Sequence, residues 1–339
     1  MKELVQAHRY LAELKGVAKT MPNETILIST LTLQEAQSSS EVENIITTQD
    51  ALYRYQIQPS SIDTASKEVS HYAEGLGIGF DAVKSMGALT LNTIIKIQAV
   101  LEGNDAGFRT SLGTTLQNEK TKEVIYTPPT PEHIPSLMSE LELFMNTGSK
   151  LDPLIRMTLI HHQFESIHPF YDANGRTGRA VNILFLVKEG LLDTPILYLS
   201  RYINQTKSEY YRLLQVVRDD GVWDDWLVYL LRGVALTAQH TIQLIESIHA
   251  LLLEHKRIIR ASHKFYSQDL LNNIFSHPYT KAAFIEKDVG VSRATATRYL
   301  EALANDENKL LHKHKIGREN YYVNHALVNL LFDLPDMKV

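Results

Sequence analysis

Two neighbouring segments that are apolar on several sides, joined by a polar loop, constrain the fold of this chain most strongly. The first, PLIRMTLIHHQFESI at residues 153–167, begins with proline, which is favoured in the first turn of a helix. Its apolar side chains form a broad surface, which predicts a central and largely buried helix. The second segment begins near Asn174 and runs to Gly190, a residue typical of a helix end. Together they predict a helical core with the polar loop at one end.

The rest of the chain also shows mostly helical periodicity. Helices are predicted for residues 1–20, 40–60, 78–103 and 232–260. Residues 111–127 differ, because two short runs rich in threonine, valine, isoleucine and tyrosine flank the sequence NEKT, which is typical of a β-hairpin. The fold class is therefore mostly α with one hairpin.

The pattern changes again after residue 260. The C-terminal part predicts two helices, a turn at Gly290, a third helix and a β-ribbon around Ile316 and Gly317, which is a winged helix-turn-helix pattern. We therefore expect four units, which are an N-terminal helical segment, a central core, a linker helix and a winged helix-turn-helix domain. Their predicted bounds are 1–100, 101–235, 236–260 and 261–339.

The composition excludes several classes of protein. The chain has no cysteine, which excludes disulfides, thiolate catalysis and zinc sites built on cysteine. A net charge of −5 over 339 residues gives no global nucleic-acid footprint. The N-terminal stretch lacks the apolar region of a signal peptide, and no apolar run approaches the ~18 residues of a membrane span. We expect a soluble, cytoplasmic protein.

The loop and the first turn of the second core helix have the sequence HPFYDANGRTGR, at residues 168–179. A helix N-terminus attracts anions, and Gly175 lets the backbone approach one closely. Arg176 and Arg179 are three positions apart, so we expect them to project from one face and to clamp phosphate oxygens. These residue types in this spacing predict a phosphate site.

Two other groups in the loop extend this prediction. Asp172 can hold Mg²⁺ jointly with phosphates, and His168 can act as a general base near neutral pH. A helix-capping loop with solvated arginines is the alternative interpretation, but two arginines at a helix N-terminus oppose the helix dipole unless an anion arrives. The adjacent His161 and His162 point about 100° apart on a helix, so we interpret them as packed side chains rather than metal ligands.

The same twelve residues match the signature HPF-x-[D/E]-[A/G]-N-G-R-x-x-R throughout, and the chain thereby resembles the Fic-domain proteins. Ala173 stands where many members have glycine. The resemblance implies a Fic-type helical core that moves AMP from ATP to a hydroxyl group of a target protein. It implies that His168 deprotonates the hydroxyl, that Asp172 binds Mg²⁺ and that Arg179 meets the γ-phosphate.

The resemblance also implies further nucleotide contacts, in the segment that cradles the α- and β-phosphates and in one later helix. The later helix offers Tyr211 as the preferred adenine contact, whereas Tyr210 is equally compatible with a core position. The nucleotide-binding set is Ala173, Asn174, Gly175, Arg176, Thr177, Gly178, Arg179, Tyr210 and Tyr211.

The stretch SSSEVENIITT allows two interpretations. Ser40 and Glu43 have the spacing of a capping box that would open a helix. Ser39, Glu43 and Asn44 also resemble the inhibitory motif [S/T]-x-x-x-E-[G/N] of the same family, in which the glutamate pairs with the second motif arginine, here Arg179. By that resemblance Glu43 pulls Arg179 off the γ-phosphate. In some relatives this glutamate also supports removal of AMP, so hydrolysis stays open.

The remaining expectations concern partners. The hairpin 111–127 falls where relatives have a flap, so a target protein is expected along it; an ordinary edge hairpin is the alternative. The preceding GFRTS also resembles the family, and the family implies a homodimer. Residues 261–323 hold nine lysines and arginines against seven acids, a net of +2, so DNA binding and use in dimerisation or target recognition both stay open. The basic residues that DNA binding would use are Arg293, Lys313, Lys315 and Arg318.

The sequence therefore predicts a protein adenylyltransferase that depends on ATP and Mg²⁺, is inhibited by Glu43 and modifies Ser, Thr or Tyr hydroxyls, its own included. Two alternatives stay open. One is a Fic transferase that uses a different donor, and the other is a DNA-binding regulator whose Fic site senses nucleotide.

Overall fold

A computed structural model describes residues 1–58, 63–117, 121–316, 319–332 and 337. The N-terminal helices are α1 (Lys2–Ala18), α2 (Glu24–Val42), α3 (Gln49–Ile57), α4 (Thr64–Met86) and α5 (Leu91–Glu102). The hairpin strands β1 (Leu116–Gln117) and β2 (Val124–Tyr126) precede α6 (Ile134–Asn146), α7 (Pro153–Ile167) and α8 (Asn174–Lys188). Next come α9 (Leu199–Gln205), α10 (Lys207–Asp220) and the long α11 (Asp224–Ser262).

The predicted central pair of helices is confirmed as α7 and α8, which pack against each other. Asp152 opens α7 by accepting a hydrogen bond from the Leu154 amide at 2.8 Å. Helix α8 is buried from Asn174 to Val187, with the partly covered Gly175 as its exception, because α4, α5 and α7 surround it. Gly79 allows α4 to lie close to α8, since a Cβ there would collide with Leu184. This packing fixes the loop 168–173 at one end of the core.

One predicted helix is two helices in the structure. The segment 78–103 is interrupted after α4, where Gly87 adopts a left-handed conformation with φ 66°. Helix α5 then begins at a new N-cap, in which Thr90 Oγ1 accepts a hydrogen bond from the Thr93 amide at 3.2 Å. The predicted end at Gly103 is confirmed. An uninterrupted apolar pattern hid the break.

The capping box predicted at Ser40 and Glu43 is wrong. Helix α2, capped at Asn23, continues through Val42, so Ser40 lies buried in its last turn and Glu43 is its C-cap. The helix that was expected over 40–60 begins instead at Gln49 as α3, with Thr48 as its N-cap. The buried serines point into the protein and belong to the end of one helix rather than to the start of another.

The predicted hairpin is confirmed in the described residues, where β1 and β2 pair antiparallel with Leu116 opposite Tyr126. Residues 118–120 of its predicted turn, NEKT, lie outside the described residues. The Tyr126 hydroxyl donates to the Ser166 carbonyl at 3.0 Å, and the Arg218 guanidinium lies 4.0 Å from the centre of the Tyr126 ring. These contacts hold the hairpin beside the end of α7.

The C-terminal part contains α12 (Gln268–Ser276), β3 (Tyr279–Thr280), α13 (Ala282–Val289), α14 (Arg293–Asn305), β4 (His312–Ile316), β5 (Glu319–Val323) and α15 (His325–Phe332). Its strands form an antiparallel sheet in the order β3-β5-β4. This order of elements agrees with the pattern expected from the sequence. The designation as a winged helix-turn-helix stays a prediction, as do the four domain boundaries, and residues 317–318 of the ribbon, including Arg318, lie outside the described residues. Within the described ranges no helix has the length and apolar character needed to cross a membrane.

Candidate active site

His168 ends α7 in a left-handed conformation that is uncommon for a residue other than glycine, with φ 50° and ψ 61°. Its amide donates to the Phe164 carbonyl at 3.0 Å, which closes the helix. The left-handed turn redirects the chain into the loop, so the imidazole lies at the junction of the helix and the loop.

Arg109 holds this turn in place. Its Nε donates to the His168 carbonyl at 2.8 Å, and its Nη2 donates to the Pro129 carbonyl at 2.6 Å. Its own amide donates to the Pro169 carbonyl at 2.9 Å, and its side chain is buried. Sequence analysis assigned no role to Arg109. It lies in GFRTS, which resembles the family. Arg109 and His168 are 59 positions apart in the sequence, however, and no local pattern indicates that they are in contact.

The environment keeps the His168 imidazole neutral. Burial, together with the positive charges of Arg109 and Arg218, lowers the pKa of His168 to about 4, against the smaller opposing effects of Glu43 and Asp172. Its Nδ1 is buried and has no hydrogen-bond partner among the described residues. A neutral imidazole at physiological pH has the protonation state that a general base needs.

The N-terminus of α8 has no side-chain cap. Its N-cap is Ala173, which has φ 60°, and this left-handed conformation explains why glycine suits the position in relatives. The Asn174 side chain accepts from the Phe170 amide at 2.8 Å and donates to the Phe170 carbonyl at 2.9 Å. The side-chain amide of Asn174 therefore fixes the shape of the loop in this conformation. The backbone N–H groups at the start of α8 form the end of the helix that attracts anions.

A carboxylate from α2 lies at this helix end. Glu43 Oε1 accepts a hydrogen bond from Arg179 Nη2 at 2.8 Å, which is the pair expected from the sequence. The same Oε1 lies so close to Gly175 that a Cβ there would collide with it. The side chain of Glu43 thus covers the backbone at the point where an anion would approach the helix.

Arg179 is held from a second side by Ser39. Its Nε donates to the Ser39 hydroxyl, and its Nη2 donates to the Ser39 carbonyl, both at 2.8 Å. Burial alone would raise the pKa of Glu43, but the charge and hydrogen bond of Arg179, together with the charges of Arg176 and Lys207, lower the pKa below its ordinary value. The expected motif partner Asn44 accepts a hydrogen bond from Lys207 Nζ at 2.9 Å. Glu43 is therefore an ionised ligand of Arg179.

Helix α2 itself is anchored by a buried acid, one that sequence analysis did not single out. Glu35 accepts hydrogen bonds from the amide and hydroxyl of Ser200 at the start of α9 and from the Tyr72 hydroxyl of α4. Burial raises the pKa of Glu35 to about 7, although these hydrogen bonds oppose the rise. This anchor lies two helical turns before Glu43 on the same helix.

The two motif arginines are bound by carboxylates from different helices, and their joint clamping of phosphate stays a prediction. Arg176 Nη1 donates to Glu68 at 3.2 Å, and Arg176 Nη2 donates to Glu102 at 2.7 Å. Arg179 points instead to α2. The reason is that α4 and α5 bring carboxylates to one side of α8 while α2 brings one to another, so each guanidinium takes a different partner.

Asp172 is exposed at the mouth of the site, and one of its oxygens accepts from the Ala173 amide at 2.7 Å. No group of three or more metal-ligating side chains occurs among the residues described. One exposed carboxylate still fits Mg²⁺, because that ion commonly takes one or two carboxylates and completes its shell with phosphates and water.

The other predicted nucleotide contacts lie deeper. Thr177 is buried, and Gly178 packs so closely that a Cβ would lie 2.8 Å from Glu165 Oε1. Tyr210 is buried, with its hydroxyl 2.9 Å from His161 Nε2, which agrees with the core interpretation. Tyr211 is 45% exposed and so remains accessible to a ligand.

The two adjacent histidines are packed side chains, as predicted. His161 stacks on Trp226 with ring centres 5.9 Å apart, and His162 meets Trp223 edge-on at 4.9 Å. Burial lowers the pKa of His161 to about 3 and that of His162 to about 4. Both rings are neutral and packed against tryptophan side chains.

Comparison with family models gives three matches along the chain. Residues 1–81 match the Fic/DOC family N-terminal model, and residues 88–186 match the Fic/DOC family model. Residues 251–327 match a model described as the C-terminal domain of SoFic-like protein adenylyltransferase.

Curated relatives match over shorter segments. A probable protein adenylyltransferase of Aquifex aeolicus is 33% identical over 79 residues, which cover 23% of this chain and 25% of the relative. A protein adenylyltransferase of Caenorhabditis elegans is 31% identical over 95 residues, which cover 27% of this chain and 17% of the relative. The matched segments thus span a quarter or less of these relatives.

Solved structures share the fold over a larger share of the chain. A Fic family protein from Desulfovibrio desulfuricans superposes with a TM-score of 0.57 at 18% identity, covering 96% of both chains. A fragment of the Caenorhabditis elegans protein superposes with a TM-score of 0.54 at 21% identity, covering 75% of this chain and 73% of that one. At these identities the likeness is one of fold.

Proposed function

Because the chain belongs to the Fic/DOC family, whose N-terminal and central domains it carries side by side, we propose that it is a protein adenylyltransferase. It transfers AMP from ATP to a Ser, Thr or Tyr hydroxyl of a target protein, its own chain included. The observation that carries this proposal is the pairing of a neutral His168 with the uncapped N-terminus of α8 and Arg179. A base, an anion-attracting helix end and a guanidinium are the groups that phosphoryl transfer needs.

In the proposed reaction the oxygen of the target hydroxyl attacks the α-phosphorus of ATP. His168 takes the proton of that hydroxyl as the new P–O bond forms, and the bond to the bridging oxygen of the β-phosphate breaks, which releases pyrophosphate. The N–H groups at the start of α8 hold phosphate oxygens, and Gly175 allows their close approach. Arg179 binds the γ-phosphate once Glu43 has left it.

Asp172 is the residue that would hold Mg²⁺, which neutralises phosphate charge when it is bound. Arg176 contributes less directly than its place in the motif suggests, since Glu68 and Glu102 already bind its guanidinium. We assign it to the support of α8 against α4 and α5, and we assign the contact with adenine to the exposed Tyr211.

The proposal includes inhibition by Glu43. A carboxylate that covers Gly175 and binds Arg179 takes the place that phosphate oxygens would take, so ATP cannot adopt the reactive position while Glu43 stays. Removal of AMP is a second candidate activity, favoured by one observation. The negative charge of Glu43 acts to raise the pKa of the His168 imidazole, and a carboxylate whose charge reaches the base could orient a water molecule.

The proposed target docks along the hairpin, where β2 exposes the apolar Val124 and Ile125. A homodimer, a cytoplasmic location and a winged helix-turn-helix domain remain proposals from the sequence. Direct DNA binding has less support, because Arg293 faces Glu319 at 3.7 Å and Lys313 bonds Glu301 at 2.5 Å. Part of the basic surface that DNA would need is therefore already neutralised.

The transferred group can be identified with the Glu43→Gly variant and ATP that carries its label on either the α- or the γ-phosphate. The proposal predicts protein labelling from α-labelled ATP and none from γ-labelled ATP. Labelling from the γ-phosphate would mean phosphate transfer, and labelling from another labelled nucleoside triphosphate but not from ATP would mean a different donor. Either result would overturn the proposed reaction.

A further inference from the structure

The C-terminal domain contacts the segment that carries the inhibitory glutamate. Helix α12 packs against α2, and β3 packs against α3. Glu43 ends α2, and residues 44–48 alone separate it from α3. The inhibitory carboxylate therefore lies between two helices that both touch the C-terminal domain.

An aromatic stack makes the contact with α3. The Tyr53 ring lies parallel to the Tyr279 ring, with ring centres 5.1 Å apart and an angle of 9° between the planes. Tyr279 stacks in turn on Tyr321 of β5, with centres 5.8 Å apart, and Phe332 of α15 meets Tyr53 edge-on. Tyr53, Tyr279 and Tyr321 are all buried, so this is a packed interface rather than a surface contact.

Two hydrogen bonds fix the two ends of α3 to β3 and to Lys281, the N-cap of α13. The Tyr279 hydroxyl donates to Asp50 Oδ1 at 2.9 Å in the first turn, and Lys281 Nζ donates to the Ile57 carbonyl at 2.8 Å in the last. A rigid helix held at both ends cannot shift or rotate without breaking these contacts.

The short connection transmits this restraint to Glu43. Thr47 within it bonds Ser66 at 2.6 Å and Asp63 at 3.0 Å, so the connection is itself attached to the start of α4. The Ile45 amide donates back to the Ser40 carbonyl at 3.0 Å. A shift of the Glu43 backbone away from Arg179 requires α2 or this connection to move, and α3 limits that movement.

We infer that the C-terminal domain is part of the inhibitory device: by holding α3 through Tyr279 and Lys281, it keeps Glu43 on Arg179. This inference rests on the proposed function, and it gives the domain a role inside the molecule. Lys281 also bonds Glu319 at 3.4 Å at the start of β5, so the contact with α3 is joined to the β-ribbon. A structural change in the β-ribbon would therefore alter the contact that Lys281 makes with α3.

The test uses the full chain and two mild substitutions, because replacing Tyr279 by alanine would empty a packed interface. Tyr279→Phe keeps the stack but removes the hydrogen bond to Asp50, and Lys281→Ala removes the bond to Ile57. The matched control is Lys287→Ala, which removes the same charge from an exposed position on α13. Glu43→Gly serves as the reference for full release.

Protein labelling from α-labelled ATP is measured for each variant, and for the pair Tyr279→Phe with Lys281→Ala in the wild-type and Glu43→Gly backgrounds. We expect the pair to raise labelling about fivefold or more over wild type, at the lower end of the about 5- to 150-fold range of coupled sites. Lys287→Ala should stay at the wild-type level. In the Glu43→Gly background the pair should add nothing, because the inhibitor is already absent.

Three results would overturn the inference. The first is that the double variant Tyr279→Phe with Lys281→Ala is labelled only as much as wild type while Glu43→Gly is active. This result would show that α3 does not hold Glu43, and the proposed function would stand. An equal rise in both backgrounds would mean an effect that does not pass through Glu43. Absence of labelling by Glu43→Gly itself would remove the proposed function, and this inference with it.

Discussion

Glu43 Oε1 lies 2.8 Å from Arg179 Nη2, across 136 positions of sequence, and covers Gly175 at the N-terminus of α8. The carboxylate thus uses both groups that attract a phosphate, the guanidinium and the helix end. A ligand that needs those groups must compete with it. In the proposed function, the protein's own side chain thereby fills the place of a phosphate.

Ser39 supports this contact, and its removal should release part of the inhibition. A hydrogen bond contributes about 1 kcal/mol net, so Ser39→Ala should raise labelling about fivefold, well below the effect of Glu43→Gly. The matched control is Ser40→Ala, since Ser40 is equally buried but its hydroxyl has no partner among the described residues. Equal labelling of the two serine variants would contradict the role given to Ser39.

Gly175 should matter even when Glu43 is absent. A Cβ at this position would lie 2.9 Å from Arg179 Nη1 and would fill the approach to the helix end. In the Glu43→Gly background, Gly175→Ala should raise the KM for ATP about tenfold, a loss of about 1.4 kcal/mol in binding. Gly16→Ala is the control, because a Cβ there meets nothing within 4 Å. An unchanged KM for Gly175→Ala would remove the phosphate site from the start of α8.

Arg109 should act on His168 in two ways, by position and by charge. In the Glu43→Gly background, Arg109→Met should lower kcat about tenfold or more with little change in the KM for ATP, because a misplaced base affects the transition state. Arg109→Lys should recover part of the rate. Arg212→Met, on the exposed face of α10, is the control and should leave kcat unchanged.

The charge of Arg109 also predicts a shift in the pH profile. Burial is the main cause of the low pKa of His168, and Arg109 lowers it further. Removing that charge favours the protonated imidazole, so the pKa rises and activity is lost at a higher pH as the solution is acidified. The acid limb of the pH–rate profile should therefore lie at a higher pH for Arg109→Met than for Arg109→Lys. Coincident limbs would show that Arg109 acts through geometry alone.

Glu35 should make the stability of the protein depend on pH. Its folded pKa of about 7 lies above the ordinary 4.5, so its contribution to stability is full below pH 4.5 and is lost as the pH rises through 7. Glu35→Gln cannot titrate, so its Tm relative to wild type should increase between pH 5 and pH 8. This rise in the pKa of Glu35 corresponds to a change of about 3 kcal/mol at most in the free energy of unfolding. Parallel Tm curves for the two proteins would contradict a raised pKa.

The sequence predicted the parts of the site that are local. Proline at the start of α7, the glycine after α8 and the twelve-residue motif lie within 40 positions of one another, and periodicity indicated both helices correctly. The pair of Glu43 and Arg179 also followed from the sequence, but through family resemblance rather than spacing.

The parts that failed are those decided by packing between distant elements. The spacing of Arg176 and Arg179 gave no sign that α4 and α5 bring Glu68 and Glu102 to the Arg176 guanidinium. The capping-box interpretation of Ser40 failed because α2 continues to Val42, where burial of its polar end overrides the local signal. The contact of Tyr53 with Tyr279 joins two residues more than 200 positions apart, and no local pattern indicates it.

AMP transfer by His168 and its inhibition by Glu43 are tested together by the initial rate of protein labelling from α-labelled ATP with Mg²⁺, measured for three proteins. They are wild type, Glu43→Gly, and Glu43→Gly combined with His168→Ala. Release of a charge-assisted contact worth ~1.5–3 kcal/mol should raise the rate of Glu43→Gly about 10- to 100-fold, and loss of the base should lower it again by a factor on the order of 10²–10⁴. Equal rates for wild type and Glu43→Gly, or full activity without His168, would contradict the account.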